Sequence, residues 1–163
     1  MKVVAHDAVT IKQIENMQPS HIVVSPGPKR PQNSRISLQA IQHFYKTVPL
    51  LGVCLGHQCI GEVFGSNTVE APTILHGKTD VIHHKKRGLL AKLPNPFIAA
   101  RYNSLVLDRV PPDFHLSAWS TDGSIMAIEH KKYPVYGVQF HPESFMTPQG
   151  NIIMRSFLQC TAK

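Results

Sequence analysis

The residues able to do covalent chemistry gather around Cys54. It lies in Gly52-Val53-Cys54-Leu55-Gly56, with glycines two positions before and two after. Pro49 to Cys54 reads as a buried strand, and Leu55 to Gly65 has helical spacing. A thiol at such a strand-to-helix junction is the cysteine form of a nucleophile elbow. Glycine suits the flanks because neighbouring side chains would clash in so tight a turn. The helix N-terminus turns free N–H groups and the positive end of its dipole toward Cys54, which favours thiolate. The N–H of Leu55 is then placed to stabilise an oxyanion. The plainer reading of Cys54 is a buried core cysteine, and the catalytic one requires a base.

Ten histidines compete for that role. His141-Pro142-Glu143 stands out because it ends a strong strand pattern, Val135 to Phe140. In extended chain, positions two apart share a face, so Glu143 can orient the imidazole of His141. Cys54, His141 and Glu143 would form a triad of nucleophile, general base and orienter. The chain order differs from that of α/β-hydrolases, which argues against an esterase on that fold. A strand-end surface histidine is the alternative for His141. Ser25-Pro26-Gly27-Pro28 follows the preceding strand and would meet Cys54 at the carboxyl edge of a sheet. Gly27 is either a second oxyanion donor or a simple turn glycine.

Elements that position these groups follow from periodicity. Ile11 to Met17 has helical spacing, His21 to Ser25 is a β-branched run, and Ser37 to Lys46 reads as a helix with Ser37 as its cap. Helix, strand, helix, strand and helix thus alternate over the first 65 residues, which implies α/β architecture with parallel strands. The second half changes character. Thr68-Val69, Thr79 to Ile82, Phe97 to Tyr102, Leu116 to Ser120, Ile125 to Glu129 and Val135 to Phe140 read as short strands in antiparallel excursions. Ile152 to Gln159 closes the chain as a helix, with Ile152, Ile153, Phe157 and Leu158 facing inward.

Composition narrows the class. The chain has 163 residues, 42% of them apolar and only 17% charged, so it can bury an ordinary core and is neither disordered nor coiled coil. No apolar run approaches the ~18–20 residues that span a bilayer, and the opening residues lack a signal-peptide core. Three cysteines without zinc spacing argue against a disulfide scaffold and against a metal site. Cys59 and Cys160 read as small core residues or incidental thiols. The net charge of +7 has its densest cluster at His83-His84-Lys85-Lys86-Arg87, with no aromatic residue interleaved. This favours a solvated loop or an anion-attracting face over a nucleic-acid surface. A soluble, cytoplasmic single domain over 1–163 is expected, with no membrane partner.

Gly52 to Gln58, Ser25-Pro26-Gly27-Pro28 and His141-Pro142-Glu143-Ser144 together resemble class I glutamine amidotransferases. His76-Gly77-Lys78, Asn95-Pro96-Phe97, Arg101 to Leu105 and Gly137 to Phe140 resemble, more narrowly, the small glutaminase subunit of anthranilate synthase and of aminodeoxychorismate synthase. The likeness runs from about Val3 to the C-terminus. It implies an open, mostly parallel sheet flanked by helices, with an antiparallel extension, and no cofactor. It also implies that Cys54 attacks the side-chain amide of L-glutamine and that water hydrolyses the glutamyl thioester. The ammonia would pass to a chorismate-binding synthase subunit. Carried over by position, Gln58, Ser104 and Leu105 would hold the glutamine, with Gly27, Pro28 and Lys29 near its amide. Gly27 and Leu55 would supply the oxyanion N–H groups.

Two departures stand out. Lys29 occupies a position where the family often has a second glycine. The family also opens with a strand–helix unit ahead of the segment resembling Met1 to Val9, so either the start is misassigned or the chain is shortened, with strand backbone left unpaired unless a partner covers it. Two alternatives accompany the enzyme reading: a stand-alone γ-glutamyl hydrolase and a shortened, non-catalytic binding subunit. The sequence does not choose between the anthranilate and aminodeoxychorismate products.

Overall fold

The structure, a computed structural model, describes residues 1–162. In chain order the elements are α1 (Ile11–Asn16), β1 (Ile22–Val24), α2 (Arg35–Phe44), β2 (Leu50–Val53), α3 (Leu55–Val63), β3 (Thr68–His84), β4 (Phe97–Leu107), β5 (Phe114–Ser120), β6 (Ile125–His130), β7 (Val135–Val138) and α4 (Gly150–Leu158). The seven strands form one sheet in the order β1-β2-β7-β6-β5-β3-β4. β1 and β2 run parallel, as the alternating first half implies, and β7, expected among the antiparallel excursions, also pairs parallel with β2 because its segment returns to the inner edge of that pair. Every other pairing is antiparallel, so the sheet is mixed rather than mostly parallel. Among the described residues β1 is an edge strand that pairs only with β2.

Helices cover both faces. Leu50 faces one side with Ile41 of α2 and Leu55, Cys59 and Ile60 of α3. Leu51 and Val53 face the other with Ile153 and Phe157 of α4. A strand covered on both faces must be apolar at consecutive positions, which is why Leu50 to Val53 lacks polar alternation. Ile153 and Phe157 are fully buried at helical spacing; sealing each contributes ~1.5–3 kcal/mol. Leu158, expected inward, is exposed because it falls outside that stripe.

Several boundaries differ from expectation. Thr68-Val69 and Thr79 to Ile82 belong to one long strand, β3, whose register against β4 shifts between Glu70 and Leu75 and again between His76 and Lys78. Such bulges bend a strand without ending it, so Pro72 and Gly77 read falsely as breaks. β4 runs on to Leu107 and so carries Ser104 and Leu105. β7 stops at Val138, and His141 follows as an isolated bridge to Ala100. α2 begins at Arg35, which places Ser37 inside the helix rather than at its cap. His83 and His84 stand on β3, not in a solvated loop, and His84 is buried with Nε2 on the Pro94 carbonyl at 2.8 Å.

The junction of β2 and α3 is packed without side chains. A Cβ on Gly52 would strike the Gly56 carbonyl, and one on Gly56 would strike the Val24 carbonyl of β1. Gly56→Ala tests this contact. Alanine gains up to ~1 kcal/mol of helix propensity, but forcing backbone apart costs ~1–3 kcal/mol. Net destabilisation of about 1–2 kcal/mol in urea unfolding is expected, and an unchanged midpoint would refute the contact.

Candidate active site

Cys54 links the end of β2 to the start of α3. Its backbone has φ 52° and ψ −103°, a strained conformation for a residue with a side chain. Two backbone bonds hold it there. The Cys54 N–H donates to the Val138 carbonyl of β7 at 2.8 Å, and the Cys54 carbonyl accepts from the Gln58 N–H at 3.1 Å. The chain thus reverses within one residue, and Leu55 is already helical. Gly27, in the loop after β1, lies against this turn. A Cβ there would sit 2.8 Å from Cδ2 of Leu55. The proposed oxyanion donors, Gly27 and Leu55, are therefore neighbours.

His141 and Glu143 are paired. The ring Nδ1 lies 2.7 Å from Oε1 of Glu143. The expected reason was alternation along a strand, but Pro142 and Glu143 form a turn beyond the bridge to Ala100, and this turn folds the carboxylate back onto the ring. Burial disfavours a charged His141, yet the adjoining Cys54 and Glu143 outweigh it and push the imidazole pKa up to about 9. Burial likewise works to raise the pKa of Glu143, but its hydrogen bond with His141 prevails and the net shift is downward. With Nδ1 taken by Glu143, the ring meets Cys54 through Nε2. That nitrogen is buried and makes no hydrogen bond among the described residues. Contacts of this kind commonly tighten only when substrate binds.

The loop carrying His141 is anchored to β4. The His141 N–H donates to the Ala100 carbonyl at 3.0 Å. The Thr147 hydroxyl donates to the His141 carbonyl at 2.7 Å and accepts from the Ala100 N–H at 2.9 Å. Tyr102, two residues along β4, packs edge-on against the His141 ring with centroids 4.9 Å apart. Neither Thr147 nor Tyr102 emerges as a site residue from the sequence, although Tyr102 sits inside a segment that carries the family likeness.

Gln58 is buried on the first turn of α3. Its Nε2 donates to the Leu105 carbonyl at 3.0 Å and to Oε1 of Gln139 at 2.9 Å. Gln58 and Leu105 are therefore brought together, with Ser104 half-buried beside them on β4. Pro28 and Lys29 are exposed in the Gly27 loop, where Lys29 adopts a positive φ of 69° that glycine would take at lower cost. Among the described residues no hydrogen bond joins Pro28, Lys29 or Ser104 to Cys54 or His141, and no group of three or more His, Cys, Asp or Glu is arranged to hold a metal ion.

The class I glutamine amidotransferase family model matches residues 1–160. Anthranilate synthase component 2 of Pseudomonas putida is 46% identical over 168 residues, which cover 99% of this chain and 85% of that one. Aminodeoxychorismate/anthranilate synthase component 2 of Bacillus subtilis is 44% identical over 160 residues, 97% of this chain and 82% of its own. Among solved structures, a Thermoplasma acidophilum protein named as a GMP synthase subunit superposes with a TM-score of 0.85 at 26% identity, covering 96% of this chain and 78% of that one. A likeness of this reach, in sequence and in fold, places the chain in the class I glutamine amidotransferase family.

Proposed function

We propose that the protein is the glutaminase subunit of a chorismate-aminating synthase, serving anthranilate or 4-amino-4-deoxychorismate formation. One observation carries the reading: a thiol at a helix N-terminus adjoins an imidazole whose Nδ1 lies 2.7 Å from Oε1 of Glu143. Names of relatives that are components 2 of such synthases support the finer assignment. A cytoplasmic setting accords with the three free cysteines, since a thiol nucleophile must stay reduced.

In this mechanism Cys54 Sγ attacks the side-chain amide carbon of L-glutamine. The oxyanion receives hydrogen bonds from the Leu55 and Gly27 N–H groups. Imidazolium His141 donates its Nε2 proton to the departing nitrogen, and ammonia leaves. Neutral His141 then takes a proton from water, which attacks the thioester and releases glutamate. Glu143 keeps the ring oriented and stabilises its charge throughout. Gln58, Leu105 and Ser104 hold the rest of the glutamine, with Pro28 and Lys29 bordering its amide. Ammonia passes to the chorismate-binding partner. Lone turnover of γ-glutamyl compounds and a purely binding role are the outcomes that would replace this reading.

An affinity label built on glutamine should attach to Cys54, with or without the synthase subunit. Absence of adduct in both conditions, from folded protein, would exclude the enzyme reading. Cys54→Ala should abolish glutamine-dependent product and leave the partner's ammonia-dependent synthesis intact.

The pH behaviour carries a definite sign. His141 binds its proton more tightly in the folded state than an ordinary imidazole of pKa 6.5 does. Its contribution to stability is therefore complete below about 6.5 and is lost as pH rises through about 9. Glu143 has a depressed pKa, so its contribution is lost as pH falls through that value. In NMR titration the His141 ring should show a midpoint near 9, and Glu143→Gln should lower it, with the Cys54 share of the shift retained. A midpoint unmoved by that substitution would remove Glu143 from its role.

A further inference from the structure

Arg101 is a buried charge that the steps above do not use. It lies on β4 with no exposed surface. Burying a guanidinium costs several kcal/mol before its partners repay it, and apolar residues of similar volume often do as well for stability. Asp80 on β3 and Asp122 on the β5–β6 turn balance the charge. Nη1 donates to Oδ2 of Asp80 at 2.6 Å and lies 3.7 Å from Oδ2 of Asp122.

The remaining bonds of Arg101 lead toward the glutamine-holding residues. Nε donates to Oδ1 of Asn103 at 3.1 Å. The Asn103 amide then donates to the Leu105 carbonyl at 3.1 Å, the same oxygen that accepts from Gln58. Each link fixes the direction of the next. Arg101 offers only donors, so Asn103 must turn its oxygen to it and its NH2 toward Leu105. Leu105 and Gln139 both present acceptors to Gln58, so Gln58 must turn its NH2 to them. The Oε1 of Gln58 is left as an outward acceptor for a substrate N–H.

We propose that Arg101 is a positioning residue for glutamine binding: acting through Asn103, it sets the Leu105 carbonyl and the orientation of Gln58. The proposal rests on the glutaminase reading, with Gln58 and Leu105 against the substrate. It assigns Arg101 an effect on substrate affinity and none on the reactivity of Cys54. The Cys54 backbone is held by β2 and β7, and the His141 imidazole is tied to β4 through backbone and Thr147 bonds at Ala100, not through the Arg101 side chain.

Two variants test it. Arg101→Met removes every bond at similar length. Asn103→Asp keeps a partner for Arg101 but sets an oxygen against the Leu105 carbonyl, so the chain breaks at one defined point. The readouts are the half-saturating concentration of a glutamine-analogue label at Cys54 and the rate of Cys54 alkylation by iodoacetamide, both by mass spectrometry. Half-saturation should rise about tenfold in each variant, the scale of one misplaced hydrogen bond. The iodoacetamide rate should stay within about twofold of wild type, because a site intact but mispositioned loses uniform binding only. If Arg101→Met does not fold, Asn103→Asp decides alone. Unchanged half-saturation in Asn103→Asp, or a parallel fall in the iodoacetamide rate, would overturn the proposal while leaving the glutaminase reading in place. Wild-type protein that reacts with iodoacetamide but shows no saturable labelling would overturn both.

Discussion

No side chain can stand between the first turn of α3 and the strands beneath it. Gly52 meets the Gly56 carbonyl, and Gly56 meets the Val24 carbonyl, at backbone-to-backbone distance. Any larger residue would lift the helix, and the N–H groups of its first turn would no longer converge above Cys54. The positive φ of Cys54 belongs to the same constraint. It is a local strain of order 1–3 kcal/mol, retained because the helix, β2 and the Val138 carbonyl together over-determine the turn. Strain of that size is tolerable only in a rigid surround. Here β2 supplies it, as an inner strand covered on both faces.

The base is delivered from another part of the chain by different means. The parallel part of the sheet ends at β7, and its last residues lead out to His141. From there the chain bridges to β4 at the far side of the sheet order. Thr147 fastens that crossing with bonds to both strand and loop, and Gly150 lets α4 start against the Pro142 backbone. Exposure grades across the pair: the His141 side chain is 11% exposed and Glu143 is 54% exposed. The imidazole is dry enough for its charge to act strongly on the thiol. The carboxylate stays wet enough to remain ionised at little cost.

Much of this was legible in the sequence where residue type and spacing act locally. The Gly-x-Cys-x-Gly junction specified strand, turn and helix together, because each glycine answers a steric demand within five residues. The alternation over the first 65 residues implied parallel strands, and β1 and β2 are parallel; that β7 joins them in parallel was not legible, since its segment reads like the antiparallel strands before it. The length of β3 was not legible. Its bulges sit where Pro72 and Gly77 imitate strand ends, and only pairing with β4 keeps it continuous. The Arg101–Asn103–Leu105–Gln58 chain was also hidden. Periodicity reports which face a side chain takes, whereas these bonds join β4 to a helix more than forty residues earlier. His141 and Glu143 were paired correctly for a partly mistaken reason, since a turn and not strand alternation brings them together.

Two segments about eighty residues apart in sequence form a single unit at the site. His57, Gln58 and Cys54 of the elbow meet Gly137 of β7 and, in the segment that follows it, Gln139 and His141. A Cβ on Gly137 would lie 2.6 Å from Nδ1 of His57. Gln139 accepts the hydrogen bond of Gln58, and His141 adjoins Cys54. His57 is fully buried, and burial pulls its pKa down to about 3, so it fills this space as a neutral ring. Gly137 therefore has a steric reason to be glycine, and Gln139 a polar reason to be glutamine. Neither needs to touch substrate to matter, because together they seat the first turn of α3 against the segment that leads to the base.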